Sequence, residues 1–306
     1  MNPKIFVVGS SNIDQFSYAS NMPKDGETVF GESYETGFGG KGANQAVMIG
    51  LLGSDAYIIT CLGDDLFADA TLENYKNHLV NVDFVQRVSG SSGVAPIWVD
   101  SKGENRIIVI PGANSKIDSE KAILDIQKVG DISVIVGQCE IPMKINNEIF
   151  KFAKENNITT IFNPAPGKYL NSEFLNYIDW LIPNETEFEI VSKTNLNEEN
   201  LIKFNGQIKG GLIVTLGERG AAYVKSDKIE YFDAPKVKVV DTTGAGDAFV
   251  GTFAHAIGML KSPEEAIRLA IEKSSLSVTK KGTQSSYSSS SESVSYTHLT
   301  LPTKCS

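Results

Sequence analysis

Asp241-Thr242-Thr243-Gly244-Ala245-Gly246-Asp247-Ala248-Phe249 joins a β-branched run to an apolar helical run through a glycine-rich turn. Such a turn leaves several backbone N–H groups unpaired at a helix start, where phosphate binds well. It also sets a carboxylate, Asp247, inside the first helical turn. A phosphate cradle with an acid beside it is the minimum equipment for moving a phosphoryl group onto a hydroxyl.

Outward from this stretch the chain alternates strand and helix. Strands are expected at Ile5–Gly9, Ala56–Leu62, Ile132–Val136, Thr159–Phe162, Trp180–Ile182 and Leu212–Thr215. Helices are expected at Ala43–Leu52, Phe67–Leu79, Ser119–Val129, Pro142–Asn156 and Glu185–Val191. Ser262-Pro263-Glu264-Glu265 reads as a further helix start, with proline at the first helical position and glutamate completing a capping box. This rhythm predicts βαβ units and an α/β fold whose mainly parallel sheet is covered on both faces. Phe16, Thr28–Thr36, Val94–Val99 and Arg106–Ile110 break the rhythm. They read as a small antiparallel group, the last two forming a hairpin around Asp100-Ser101-Lys102-Gly103. Ligands of parallel sheets lie beyond the strand carboxyl ends, so a side sheet there would act as a lid.

The 306 residues suffice for one large core with a small appendage, and 41% hydrophobic with 21% charged residues is ordinary for a globular enzyme. A net charge of −9 argues against nucleic-acid or anionic-membrane partners but not against an anionic substrate held by a local backbone cradle. Cys61, Cys139 and Cys305 form no metal-type pair, and His78, His255 and His298 show no ligand spacing, so zinc is not indicated. The N-terminus carries no apolar signal segment and no run spans a bilayer, which points to the cytoplasm.

Other constellations are open when taken singly. Gly39-Gly40-Lys41-Gly42-Ala43-Asn44-Gln45-Ala46 opens a helix; Lys41 and Asn44 can donate to hydroxyls, and the same pattern also fits a tight turn with a solvated lysine. Asn12 and Asp14 follow the first strand, where a carboxylate can bind vicinal hydroxyls, or where Asn and Asp simply make a turn or cap. Asn184-Glu185-Thr186-Glu187 can organise water-bound Mg²⁺, or begin a helix whose dipole favours acids. Thr215-Leu216-Gly217-Glu218-Arg219-Gly220 either lines a nucleotide site or is a hairpin loop. Two glycine-rich helix starts, with polar groups repeatedly placed after strands, make a stronger joint pattern than any single piece.

Jointly, these stretches resemble the ribokinase-like (PfkB) carbohydrate kinases. Gly39–Ala46 looks like the family's first signature and Asp241–Phe249 its second. Gly9-Ser10-Ser11-Asn12-Ile13-Asp14, Gly103-Glu104-Asn105-Arg106 through Pro111-Gly112-Ala113-Asn114, Glu140-Ile141-Pro142 and Asn163-Pro164-Ala165-Pro166 resemble its ribose-phosphorylating branch. The likeness covers about residues 3–286.

The resemblance implies a three-layer α/β sandwich with a mainly parallel central sheet, plus a β-sheet lid that often clasps a second copy into a homodimer. It implies a kinase domain over 1–286, with lid strands from about 14–36 and 94–110. It implies transfer of the ATP γ-phosphate to O5 of D-ribose. Carried over by position, Asn12, Asp14, Gly40, Lys41, Asn44 and Glu140 would hold the sugar and Asp247 would be the catalytic base. Gly244, Ala245 and Gly246 would form the anion hole. Asn184 and Glu187 would support the Mg²⁺-nucleotide, while Thr215 and Gly217, with Gly246, would line the nucleotide site. Asp241, Thr243, Ser277, Lys280, Gly282 and Ser286 match loops that bind an activating monovalent cation, usually K⁺.

The chain departs from the family at its end. The run Ser285-Ser286-Tyr287-Ser288-Ser289-Ser290-Ser291-Glu292-Ser293 replaces an expected helical segment and lacks a packing face, so 287–306 reads as a disordered tail foreign to the family. Related kinases for deoxyribose, a nucleoside or a ketohexose are the alternatives within the family. A non-catalytic sugar- or nucleotide-binding protein is the alternative of another class; the pairing of Asp247 with the Gly-Ala-Gly turn argues against it.

Overall fold

Successive residues of the first strand face opposite ways, and here both faces are apolar. Ile5 and Val7 join one buried cluster and Phe6 and Val8 another. A strand buried on both sides needs a covering layer on each, which is what the computed structural model, describing residues 2–290, contains. In chain order the strands are β1 (Lys4–Val8), β2 (Asn12–Tyr18), β3 (Ser33–Gly39), β4 (Asp55–Ile59), β5 (Cys61–Leu62), β6 (Val80–Asn81), β7 (Gln86–Arg87), β8 (Gly93–Val99), β9 (Asn105–Ile107), β10 (Ile132–Gln138), β11 (Thr159–Asn163), β12 (Trp180–Leu181), β13 (Gly211–Thr215), β14 (Ala221–Lys225) and β15 (Lys228–Phe232). The helices are α1 (Lys41–Leu51), α2 (Leu66–Asn77), α3 (Ser119–Val129), α4 (Met143–Glu155), α5 (Ser172–Leu175), α6 (Glu185–Ser192), α7 (Glu198–Asn205), α8 (Ala245–Gly258) and α9 (Pro263–Ser277).

The central sheet has the order β15-β14-β13-β12-β11-β10-β1-β4-β6. It is parallel from β6 through β13 and antiparallel only at the β13-β14-β15 edge. α1, α8 and α9 bury the first cluster; α3, α4, α6 and α7 bury the second. The chain leaves β1, winds outward through β4 and β6, then returns to β10 on the other side of β1. The crevice beyond the carboxyl ends of β1 and β10 is therefore the switch point at which such sheets bind ligands.

A second sheet, β3-β2-β8-β9, stands apart as the lid. It is mixed, not antiparallel as expected, because β2 pairs with β8 in parallel. The chain between them passes through the core (α1, β4, α2) and so returns in the same direction. The hairpin around Asp100–Gly103 is present, extended by a bridge between Val94 and Ile110. The strand expected over Thr28–Thr36 begins only at Ser33; Thr28–Glu32 is largely exposed and has no ladder partner. Ala56–Leu62 divides at Thr60, its second part pairing with β7 in a separate two-stranded sheet.

The β-branched residues before Asp241 form no strand either. Val239 and Val240 are exposed, and the N–H groups of Val240 and Asp241 both donate to the Val278 carbonyl at the end of α9. β-propensity has little force without a neighbouring strand to pack against. Of the tail expected over 287–306, residues 287–290 lie in the described part and Tyr287 is buried in the first core cluster; 291–306 lie outside the described residues. Among the described residues no helix is long and apolar enough to cross a membrane.

The second core cluster centres on aromatic side chains. Phe162 is fully buried and meets Phe150 and Phe174 edge-on, with ring centroids 5.5 and 4.9 Å away. Phe162→Ala is expected to cost about 3–5 kcal/mol, read from the midpoint of urea unfolding, because this layer cannot collapse onto the void.

Candidate active site

The site begins where β1 ends. Gly9 lets α1 lie directly on the chain: a Cβ on Gly42 would stand 2.7 Å from the Gly9 Cα. Gly40, the N-cap of α1, holds φ 90, a left-handed conformation that glycine adopts without strain. The Lys41 N–H donates to Glu140 Oε2 at 2.9 Å, and the Ser10 hydroxyl donates to the same oxygen. Glu140, just past β10, is thus tied to the chain just past β1, across the switch point.

The second helix start comes from α8. Its N-cap, Gly244, is left-handed at φ 76, and Asp247 lies in its first turn as expected. A Cβ on Gly251 would meet the Gln45 carbonyl at 2.8 Å and Met48 Cβ at 2.9 Å, so a missing side chain lets α8 cross α1 closely. That crossing presents two amides to the buried Asp247 carboxylate. Asn44 Nδ2 donates to Oδ2 at 2.9 Å and Gln45 Nε2 to Oδ1 at 3.0 Å. Among the described residues, the N–H groups of Gly246 and Asp247 have no backbone partner, whereas that of Ala245 donates to the Thr242 carbonyl at 3.3 Å. Two of the amides at this turn are therefore unpaired among the described residues.

Electrostatics gather around Lys41. Burial pulls its pKa down, but the carboxylates of Asp247, Glu140 and Glu187 outweigh burial and leave it above the ordinary value. Lys41 is thus a cation among anions. Asp14 projects from β2 opposite Gly37, close against Gly39, where a Cβ would fall 2.3 Å from its Oδ2. Burial, then the charges of Glu140 and Asp247, push Asp14 up to about 7. Asn12, on the same strand as Asp14, pairs with Gly39 of β3 and accepts at Oδ1 from Asn114 Nδ2 at 2.8 Å; its Nδ2 has no protein partner among the described residues.

Asn184, Glu187, Thr215 and Gly217 lie farther along the strand ends. Asn184 and Glu187 cap α6 reciprocally, side chain to backbone at 2.8 and 2.9 Å, so the helix-start reading holds. Burial raises Glu187's pKa ahead of other influences, and its Oε1 has no protein partner among the described residues. Asn184 bridges to Thr215, and Gly217 opens the loop of the β13-β14 hairpin.

The expected cation loops also meet. Asp241 Oδ1 accepts from the Thr243 N–H and hydroxyl, and Oδ2 from the Gly282 N–H at 2.9 Å. Burial works against these bonds, but they keep Asp241 below the usual carboxylate range. Ser277 and Lys280 form the turn after α9, where the Lys280 N–H donates to the Ser277 carbonyl; Ser286 is buried and donates its hydroxyl to the Thr283 carbonyl. The donors here are oxygens, which suits a hard cation, and no cluster of three acidic, His or Cys ligands occurs among the described residues.

Several residues of the site escape a reading for motifs. Gln45 spans Asp247 and Asn163 with one nitrogen and accepts from Gln138 with its oxygen. Its place in the first glycine-rich stretch was the available signal. Ser10 and Asn114 lie in stretches that resemble the family, but Gln284 and Tyr287 had no such signal, since each acts through a contact distant in sequence.

The chain is similar to known proteins over nearly its whole length. The model of the pfkB family of carbohydrate kinases matches residues 2–290. The chain is 39% identical to the deoxyribokinase of Salmonella typhi, covering 93% of this chain and 95% of that protein. It is 38% identical to the ribokinase of Lactococcus lactis, covering 92% of each. Its structure superposes with a TM-score of 0.89 on the ribokinase of Thermotoga maritima, 37% identical, covering 97% of this chain and 99% of that one. It superposes equally well, 0.89 at 31% identity and covering 96% and 98%, on Arabidopsis thaliana ribokinase complexed with ribose and ATP. The chain belongs to the pfkB family of carbohydrate kinases, which makes it a phosphotransferase with the ribokinase fold.

The raised Asp14 carboxyl fixes a pH dependence of stability. Below about pH 3.8 both folded and unfolded chains carry the proton and Asp14 costs nothing. As pH rises, the unfolded carboxyl ionises first, so stability is lost until the folded group also ionises near 7. Asp14→Asn should therefore raise the melting temperature at pH 8 by about 5 °C, and the gain should shrink steadily between pH 7 and pH 4. Differential scanning fluorimetry across that range checks it; a gain independent of pH would contradict the raised pKa.

Proposed function

We propose that the protein phosphorylates D-ribose at O5, using ATP, to give D-ribose 5-phosphate. The observation that carries this reading is the Asp247 carboxylate, held at both oxygens by Asn44 and Gln45 beside the unpaired N–H groups at the start of α8. A sugar hydroxyl placed between that carboxylate and those amides faces a proton acceptor and a phosphate cradle together.

Asn12, Asp14, Gly40, Lys41, Asn44 and Glu140 hold the sugar in this reading. The first two come from the lid and the others from the α1 and β10 ends, so the sugar lies between the two sheets. Asp247 orients the reacting hydroxyl and takes its proton as the bond to phosphorus forms. A loose phosphoryl-transfer transition state demands little early deprotonation, so orientation is its larger task. Gly244, Ala245 and Gly246 shape the anion hole, with Lys41 adding a charge opposite the accumulating negative oxygens. Asn184, Thr215 and Gly217 line the nucleotide side. Mg²⁺ carried with ATP neutralises phosphate charge, and Glu187 Oε1 is the carboxylate oxygen best placed to receive one of its waters. Asp241, Thr243, Ser277, Lys280, Gly282 and Ser286 are the residues to hold K⁺.

2-Deoxyribose is the second reading, favoured by the 39% identity to a deoxyribokinase. The number of hydroxyl-binding side chains on the cleft favours the sugar with more hydroxyls. The lid exposes Tyr34, Trp98, Ile107 and Ile108, an apolar set that suits pairing with a second copy into a homodimer.

ADP release with Mg-ATP should be selective for ribose over deoxyribose, fructose and adenosine, and should fall when Na⁺ replaces K⁺. Preference for deoxyribose would transfer the assignment to the second reading. Asp247→Asn should keep sugar binding, measured by calorimetry, and lose ~10²-fold or more in turnover; near-normal turnover would sink the role given to Asp247.

A further inference from the structure

Gln284 lies just before the serine-rich run and Tyr287 within it, a stretch with no packing face of its own. Gln284 is 5% exposed. Its Nε2 donates to Asn44 Oδ1 at 2.9 Å, and its Oε1 accepts from Asn74 Nδ2 at 2.8 Å. Asn44 in turn donates from Nδ2 to Asp247 at 2.9 Å. The four side chains form a single line from α2 to the carboxylate.

The direction of that line is imposed by its end. An ionised carboxylate only accepts, so Asn44 must present its nitrogen to Asp247 and its oxygen the other way. Gln284 must then meet that oxygen with its own nitrogen, which turns its oxygen to Asn74. Reversing Asn44 would put an oxygen against the carboxylate and leave two buried acceptors facing each other. Gln284 therefore reinforces the one amide orientation of Asn44 that serves the carboxylate.

Tyr287 acts on the other half of the site. Its hydroxyl donates to the Gly244 carbonyl at 2.9 Å, and the Ala248 N–H donates to the same carbonyl at 2.9 Å. The two donors fix the Gly244–Ala245 peptide, the plane from which α8 starts. The contact is close: a Cβ on Gly244 would fall 2.8 Å from the Tyr287 hydroxyl and 2.3 Å from Thr283 Cγ2.

We infer that Gln284 and Tyr287 are positioning residues of the active site, Gln284 orienting Asn44 against Asp247 and Tyr287 holding the glycine turn that forms the anion hole. Neither need touch sugar or nucleotide. The inference rests on the kinase reading above for its activity measurements only.

The test is kinetic and uses the full chain, with Gln284→Met and Tyr287→Phe as variants that keep side-chain size. Gln284→Met should lower kcat/KM for the sugar about tenfold, and this loss should vanish when Asn44 is already alanine. Tyr287→Phe should lower kcat about tenfold, leave the sugar KM within about twofold, and lose the same factor in the Asn44→Ala background. An equal loss for Gln284→Met with and without Asn44, or less than twofold effects from both variants, would overturn the inference. Should the wild type turn over none of the sugars, the kinase reading fails and the side-chain amide spectrum decides the inference. The Asn44 amide signal, identified by its absence in Asn44→Ala, should move in Gln284→Met; an unmoved signal overturns it.

Discussion

A buried carboxylate between two crossing helix starts is the constraint on which the site depends. Asp247 is 5% exposed, and an acid so placed is tolerated only if donors surround it. The donors come from α1, which approaches because Gly42 has no side chain facing Gly9 and Gly251 none facing Met48. Once Asn44 and Gln45 are committed to Asp247, their remaining atoms need partners too. Gln138, Asn163 and Gln284 supply them, so one charge organises polar side chains from the ends of β10 and β11 and from the loop beyond α9. The result is a rigid acceptor whose two oxygens are fixed before a substrate arrives.

The same cleft concentrates like charge. Glu140 and Asp247 add to the cost of ionising the buried Asp14, with Lys41 as the cation among them. In an empty site this is unfavourable, and the rise of Asp14 to about 7 is its measure. Hydroxyls donate to carboxylates, so in the proposed reading a polyhydroxylated sugar would relieve the very tension that destabilises the free protein.

The lid completes the arrangement because it shares residues with the site rather than merely covering it. Asn12 and Asp14 belong to β2, whereas Asp247, Asn44 and Glu140 belong to the core. The short link from β1 to β2, closed at Ser11 and Asn12 by the buried Asn114, carries the junction between them. With the sugar placed as proposed, movement of the lid would change ligand contacts and solvent exclusion together.

Local features are written in the order of the amino acids. The period of apolar residues placed most of the parallel strands and their helices, Ser119–Val129 to the residue. The two glycine-rich stretches marked α1 and α8, since only glycine accepts the left-handed caps at Gly40 and Gly244. Lys41, Asn44 and Asp247 were candidates for the same reason, as each sits in one of those stretches, whereas Asn12 and Asp14 were read from their place after the first strand and Glu140 from the family resemblance. Pairing, by contrast, is settled only once the chain is folded. The parallel match of β2 with β8, the loss of the strand before Asp241, and the burial of Tyr287 all depend on which distant segment lies alongside. Gln45, Gln284 and Tyr287 join the site through contacts more than 40 residues apart in the chain. A local pattern records the conformation a residue prefers, but a hydrogen bond to a distant partner leaves no periodic trace, because its energy exists only after the chain has folded.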